Sequence, residues 1–424
     1  MAVSAPPVAP AVETEISSDA SSSVSPYPLG RLPRTSAHPP CLLYVSTLDR
    51  IISVMLPHLT AARAAGWRVE VACQPTVYRE ELARYADAVH EVPMRRFPLH
   101  PSNLTALRRL VALIRRGGYT VVHCHNPTGG FVGRLAATLA RTSARRVYTA
   151  HGFHFHRHGN PLSNTIYRAA ERLAGHHWSD AVLTITDEDY QAALTARVVP
   201  SDRLFLTGGV GVSVHEDFNP ALVSAGEIAR FRDEIGASPQ TRVITMVGEL
   251  IPRKRPQDAL AIFARVRERF PDSLLVLVGD GAMSDRLRSE ARTRRIEEHV
   301  RFLGFRRDVR IILASSQIFL FPSKQEGLPC AIQEALAMCL PVVATDVRGC
   351  RDLVDASCGR LAPLGDIAGL AEGVCDILSL SLEQQRRMGA VGRRKMLHNF
   401  ERLRCVLHWQ EIYCQLLADT APEN

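Results

Sequence analysis

Phe319-Leu-Phe-Pro-Ser-Lys-Gln-Glu-Gly-Leu-Pro-Cys-Ala-Ile-Gln-Glu-Ala-Leu-Ala-Met-Cys-Leu-Pro-Val-Val-Ala344 reads as a strand, a tight loop, a helix and a second strand. The apolar, aromatic run Ile318 to Phe321 stops at Pro322, which has no N–H with which to continue a ladder. Gly327 and Pro329 shape a turn into a helix over Cys330 to Met338, and Pro341 precedes the next strand. Glu326 stands in the turn and Glu334 in the helix. A helix N-terminus offers unpaired backbone N–H groups and a positive dipole end, so the turn Gly327-Leu328-Pro329-Cys330 suits a diphosphate. Two carboxylates flanking an anion would repel it. They are suited instead to accept hydrogen bonds from sugar hydroxyls on either side of the diphosphate, which is the pattern of a nucleotide-sugar. An ordinary strand–loop–helix unit with two solvated glutamates has the same spacing, and spacing alone does not separate the two readings.

The same alternation runs through the chain on both sides. A buried strand starts at Cys41, a helical pattern runs to Arg63, Gly66 stops it, and Trp67 to Cys73 is a second strand. Further strands near Val89 to Val92, Thr120 to Cys124, Arg146 to Ala150 and Ala181 to Thr186 are separated by helical stretches. A second series opens at Arg242 to Gly248 and continues through Ser273 to Asp280 and Val300 to Leu303 into the opening stretch. Such alternation predicts an α/β protein with two doubly wound, Rossmann-like parallel sheets whose strand C-termini face a shared cleft. The glycine-dense Leu206-Thr-Gly-Gly-Val-Gly-Val212 is the expected linker. The divisions read as a disordered tail over 1–39, domains over 40–212 and 213–399, and a C-terminal helix within 400–424.

The 46% hydrophobic share of 424 residues is ample for two cores, and no run approaches the roughly 20 apolar residues of a membrane span. Residues 1–39 lack the basic start and apolar core of a signal peptide, and the ten cysteines include no C-x-x-C pair. These features predict a cytoplasmic protein with reduced, mostly buried thiols. The formal net charge of +8 favours an anionic partner. The helix from Ser102 to Arg116 mixes Arg108-Arg109 and Arg115-Arg116 with Leu104, Leu107, Leu110, Val111 and Ile114, a pattern that fits either an anionic leaflet of the inner membrane face or a core-packed helix. No nucleic acid is expected, since basic residues are not interleaved with aromatics in any recognisable module.

Glu326-x7-Glu334 after Phe-Pro-Ser, Val278-Gly-Asp-Gly281, Val300-Arg-Phe-Leu-Gly-Phe305 and Gly208-Gly-Val-Gly-Val212 together resemble the retaining glycosyltransferases of family 4, which have the GT-B fold. Tyr148 to Phe155 and Asp346 to Val354 are similar to the subgroup that extends lipid-linked sugars in exopolysaccharide, capsule or glycan-precursor assembly. The resemblance implies an acceptor-side N-terminal domain, a nucleotide-sugar-binding C-terminal domain, and a last helix packed back across the N-terminal domain. It implies no metal and no cofactor, the nucleotide-diphosphate-sugar being a substrate, and a lipid-linked glycan as acceptor. It makes Glu326 the contact to the donor sugar's hydroxyls, Glu334 the holder of the ribose hydroxyls, and Gly327, Leu328, Pro329 and Cys330 the diphosphate turn. Gly279, Phe302 and Leu303 fall in its donor-binding motifs. Lys254 matches the phosphate-binding lysine, a cation that would stabilise charge on the leaving diphosphate.

His151 matches the histidine that faces the sugar from an N-domain strand end. The family places an arginine directly after the glycine at 248; Glu249 stands there, and Arg253 is the substitute charge that the sequence offers. Asp49, Arg50 and His154 are the acceptor-side candidates, Asp49 and Arg50 from the loop Thr47-Leu-Asp-Arg-Ile-Ile52, where many relatives carry a glycine pair. Arg348 stands where many relatives have glycine. His123, His125, His154, His156 and His158 form a His-rich neighbourhood without a helical i,i+4 pair, so no metal site is expected. Two other readings fit the architecture: a nucleotide-sugar 2-epimerase, or a catalytically disabled nucleotide-sugar-binding protein.

Overall fold

A computed structural model describes residues 39–418 apart from 77, 96, 98–99 and 156–158. All but the last residue of the expected tail, together with His156, His158 and Arg96, therefore lie outside the described residues. Among those described, the first sheet comprises β1 (Cys41–Leu48), β2 (Arg68–Gln74), β3 (Ala88–Glu91), β4 (Val121–His125), β5 (Arg145–Ala150), β6 (Ala181–Thr184) and β7 (Leu204–Leu206). The second comprises β8 (Arg242–Val247), β9 (Ser273–Val278), β10 (Val300–Gly304), β11 (Ile318–Phe321), β12 (Val342–Thr345) and β13 (Gly359–Ala362). The order is β3-β2-β1-β4-β5-β6-β7 in one and β10-β9-β8-β11-β12-β13 in the other. Neighbouring strands pair in parallel, as buried, continuously apolar strands with helical crossovers do.

Each sheet reverses direction once, between β1 and β4 and between β8 and β11. Loops diverge at such a switch point and leave a crevice at the strand C-termini. These ends meet across the crevice: Arg50 after β1 meets Glu249 after β8, the His151 carbonyl after β5 abuts Gly327 after β11, and Asp189 after β6 meets Arg348 after β12.

The chain passes from the first sheet to the second beside its return path. Val212 N–H donates to the Phe400 carbonyl at 2.8 Å and Arg402 N–H to the Val212 carbonyl at 3.0 Å. A Cβ on Gly208 would meet the Cys405 sulfur, and one on Gly211 the Arg402 Cα at 2.7 Å, so these glycines permit close backbone crossing. The last helix, Arg402–Ala418, lies on the first sheet, with Trp409, Ile412 and Tyr413 packed among Leu42, Tyr44 and Leu59. In the helix Asn103–Gly117, Leu110 and Ile114 are core residues and Leu107 and Val111 pack against them, so the apolar face read from sequence faces the protein; Leu104 stays exposed. All ten cysteines are unpaired, seven of them buried. Among the described residues no helix is long and apolar enough to cross a membrane.

Candidate active site

The floor of the cleft is built from the loops after β8 and β11. A Cβ on Gly279 would lie 2.0 Å from the Gly248 carbonyl oxygen, so the β8 loop rests directly on the end of β9. Arg255, in the left-handed region at φ 52°, turns the chain into the helix Pro256–Arg269. That turn aims Lys254 and Arg253 at the β11 loop, where the Lys324 N–H donates to the Arg253 carbonyl at 2.9 Å. Lys254 Nζ lies 2.8 Å and Arg253 Nη1 3.0 Å from the same Glu326 oxygen, which also accepts from the Ser323 hydroxyl. Lys254 sits over the Phe321 ring, 4.8 Å from its centroid. Two cations thus converge on one buried carboxylate.

The helix Cys330–Ala337 starts beside this cluster with Pro329 as N-cap and no side-chain cap, leaving its first-turn donors without a capping side chain. A Cβ on Gly327 would lie 2.3 Å from the His151 carbonyl oxygen, and one on Gly349 would overlap the Gly327 carbonyl. Only glycine lets these three loops meet so closely. Leu328 is buried against Ile185 and Val212. Glu334 is partly buried, and desolvation raises its pKa to about 7 against the opposing charge of Arg402; burial likewise pushes the Cys330 thiol up to about 11.

Across the cleft, His151 Nε2 is 3.2 Å from His125 Nδ1. Burial lowers the His151 pKa to about 4 and holds His125 and His123 well below the usual imidazole range, so all three are neutral. His123 is engaged by the Tyr413 hydroxyl at 2.6 Å and Thr149 Oγ1 at 2.8 Å, and its ring lies 4.2 Å from that of His125. The histidines read from β4 and β5 are therefore a packed column, and no three His, Cys, Asp or Glu side chains among the described residues are grouped to hold a metal. His154 packs on Tyr167, ring centroids 5.0 Å apart.

Asp49 is fully buried and its carboxylate binds the next loop, accepting from the Thr76 hydroxyl at 2.5 Å and the Tyr78 N–H at 3.2 Å. Arg50 reaches across to Glu249 at 2.7 Å, both side chains partly exposed. The first switch-point loop thus brings a guanidinium to the second domain at Glu249. Phe302 lies under the Arg288 guanidinium at 4.7 Å, and Leu303 packs against the second-domain core. Beside Glu326 a cavity of about 700 Å³ opens, lined by Lys324, Gln325, Asp346, Arg348, Arg351 and Leu364 among others, a size that suits a sugar-bearing ligand.

Comparison with known proteins matches this arrangement. The family described as "Glycosyl transferase 4-like domain" matches residues 54–208, and "Glycosyl transferases group 1" matches 227–395. A protein of Bacillus subtilis (strain 168) named as a glycosyltransferase, EpsD, is 32% identical over 376 residues, covering 88% of this chain and 96% of its own. The chain belongs to family 4 of the glycosyltransferases. A relative from Escherichia coli, UDP-Gal:alpha-D-GlcNAc-diphosphoundecaprenol alpha-1,3-galactosyltransferase, is 30% identical over 62% of this chain and 68% of its own. Among solved structures, a glycosyltransferase from Rickettsia africae ESF-5 superposes with a TM-score of 0.77 at 16% identity, covering 91% of this chain and 100% of that one. Anabaena Alr3699/HepE in complex with UDP and glucose superposes at 0.71 with 19% identity, covering 90% and 99%. The fold is GT-B, and the protein is a glycosyltransferase that uses a nucleotide-sugar donor.

In this family 4 glycosyltransferase the structure adds a residue whose part in the cleft sequence reasoning missed. Arg348 is buried; its Nε donates to the Glu326 carbonyl at 3.2 Å, and its Nη1 to the Phe153 carbonyl at 3.0 Å and to Asp189 Oδ1 at 2.8 Å. One guanidinium therefore ties the Glu326 loop to two loops of the other domain. Thr186 caps the helix in which Asp189 lies, its side chain accepting from the Asp189 N–H and its hydroxyl donating to the Asp189 carboxylate at 2.8 Å, a Thr-x-x-Asp signal visible in the sequence. Arg348→Ala leaves Asp189 buried without its cation and should lower the unfolding free energy by about 3 kcal/mol, read by urea denaturation. The pair Arg348→Ala with Asp189→Ala should recover part of that loss; additive losses would show the ion pair to be inert.

Proposed function

We propose that the enzyme transfers a sugar, with retention of anomeric configuration, from a nucleotide-diphosphate-sugar to a hydroxyl of a lipid-linked glycan at the cytoplasmic face of a membrane, as a step in cell-surface polysaccharide synthesis. The observation that carries the reading is the convergence of Lys254 and Arg253 on Glu326 beside the uncapped helix at Cys330. In the reaction the bond from the sugar's anomeric carbon to the diphosphate oxygen breaks, and the acceptor oxygen bonds to that carbon. The acceptor's hydroxyl proton leaves to a diphosphate oxygen. Lys254, Arg253 and the helix N-terminus are arranged to stabilise the charge that grows on the diphosphate. Glu326 accepts from the donor sugar's hydroxyls, and neutral His151 adds a hydrogen bond without charge. The lipid-linked acceptor is supported by the name of the Escherichia coli relative, and a diphosphate nucleotide by the UDP-bound Anabaena structure.

Incubation with UDP-, GDP- and ADP-sugars, with and without a lipid-diphosphate glycan, tests this reading: product should require the acceptor, and NMR should show the donor's anomeric configuration kept. A changed sugar nucleotide formed from donor alone would mean an epimerase instead.

Glu334 gives the donor site a pH dependence. With a pKa near 7 it is largely protonated at pH 6, and a protonated carboxyl is a poorer acceptor for the ribose hydroxyls. Donor binding therefore expels a proton there, and the donor KM should fall as pH rises from 6 to 8, by up to about tenfold per unit below the pKa. Glu334→Gln should raise the KM and flatten this profile; an unchanged slope would remove Glu334 from the donor site.

A further inference from the structure

The loop after β8 folds back on itself: the Ile251 N–H donates to the Glu249 carbonyl at 2.9 Å and the Lys254 N–H to the Ile251 carbonyl at 3.0 Å. A Cβ on Gly248 would lie 3.9 Å from Cδ and Cε of Lys254, so the stem of Lys254 runs beside the residue that precedes Glu249. Glu249 thus belongs to the same corner of the cleft as Lys254 and Glu326. The hydrogen bond from Arg50, and after it the charges of Arg50, Arg253 and Lys254, hold the Glu249 carboxylate below its usual pKa and ionised. Arg253 and Lys254 contact Glu326, and Arg50 contacts Glu249, so three cations share two carboxylates and one positive charge is left over. Of the three cations, Arg50 alone comes from the first sheet. Its backbone is held firmly: the Arg50 N–H donates to the Asp49 carboxylate at 2.8 Å, and that fully buried carboxylate also accepts from the N–H and hydroxyl of Thr76 and from the Tyr78 N–H. Four donors on one buried carboxylate anchor the end of β1 to the loop after β2. The Arg50 side chain, by contrast, is 55% exposed and that of Glu249 37%, and an ion pair so placed is held weakly.

From this geometry we propose that Arg50 is a third cation of the diphosphate site, delivered from the other domain: Glu249 holds its guanidinium beside the site, and a bound diphosphate takes it over. The inference rests on the nucleotide-diphosphate-sugar donor of the proposed function and adds a residue to that site. A diphosphate carries more than one negative charge, and the planar fork of arginine donates to two phosphate oxygens at once, so it draws the guanidinium away from a single exposed carboxylate. As the bond to the anomeric carbon breaks, Arg50 joins Lys254 in stabilising the charge left on the diphosphate oxygen. A plain latch between the domains would use the same pair. It would not require the surplus positive charge beside it, and its two members would be equally necessary.

Calorimetry of the full chain with UDP and UMP tests this, and both side chains are exposed enough for substitution to leave the fold intact. Arg50→Ala should raise the Kd for UDP about tenfold and leave that for UMP unchanged. Glu249→Ala should do the opposite and lower the Kd for UDP several-fold, because it releases Arg50. In the double variant Arg50→Ala with Glu249→Ala most of that gain should be lost, and Arg50→Lys should keep part of the affinity that Arg50→Ala loses. Weaker UDP binding in both single variants would make the pair a latch and overturn the proposal. So would UDP binding indifferent to Arg50→Ala, an equal loss for UMP, which would place Arg50 away from the second phosphate, or the full gain from Glu249→Ala persisting in the double variant, which would mean that Glu249 acts only by repelling the ligand. The two readings fail separately. UDP binding that depends on Lys254 and not on Arg50 removes this inference and keeps the donor site; a wild type that binds UDP no more tightly than UMP removes the donor site itself.

Discussion

Glu326→Ala should reduce sugar transfer by about a thousandfold or more while leaving the protein folded, because it removes the carboxylate around which the cleft is assembled. The same change should tighten UDP binding several-fold. Glu326 holds Lys254 at 2.8 Å and Arg253 at 3.0 Å, and a diphosphate bound as proposed would take those cations over. Freeing them removes a competitor that is covalently in place. The opposite signs of the two effects separate this account from simple damage to the fold, which would lower both together. Kinetics of transfer and calorimetry with UDP on one preparation give both numbers. Near-normal turnover would exclude Glu326 from the reaction.

Lys254→Ala should cost about a hundredfold or more in kcat/KM, with losses in both donor affinity and turnover. Lys254 is the less exposed of the two cations, 14% against 42% for Arg253, and is held over the Phe321 ring. A desolvated, positioned charge acts more strongly on a developing anion than one in water. Arg253→Ala should therefore cost clearly less. Equal losses at the two positions would mean that the cations act as a diffuse patch instead of a positioned pair.

Much of this site was legible from the chain because its parts are local. A strand stopped by Pro322, a turn with Gly327 and Pro329, and a helix at Cys330 follow from residue chemistry over a dozen positions. The partners of that unit are far away in sequence and near in space. Arg348 and Asp189 are 159 residues apart, and no periodicity announces their pairing. Arg50 and Glu249 are single charges in two loops, each unremarkable until the switch points face each other. The helices Ile367–Ser379 and Leu382–Lys395 escaped the reading for another reason. Their glycines look like interruptions, yet a Cβ on Gly389 would lie 1.9 Å from the Cys339 carbonyl oxygen and one on Gly392 2.7 Å from Leu336. These glycines serve close packing, which sequence cannot distinguish from a break. In the last helix Val406, Ile412, Tyr413 and Leu416, legible as apolar from the sequence, are buried together with Cys405 and Trp409, whereas Leu403 and Leu407 stay partly exposed.

The central claim is that the cleft recognises a diphosphate through the loop at Lys254 and the helix start at Cys330. Calorimetric titration of the wild type and Lys254→Ala with UDP and UMP tests it most directly, since the two ligands differ by one phosphate. The wild type should bind UDP at least tenfold more tightly than UMP, and in Lys254→Ala that gap should shrink to a few-fold while UMP binding stays the same. An equal gap in the two proteins would contradict the account.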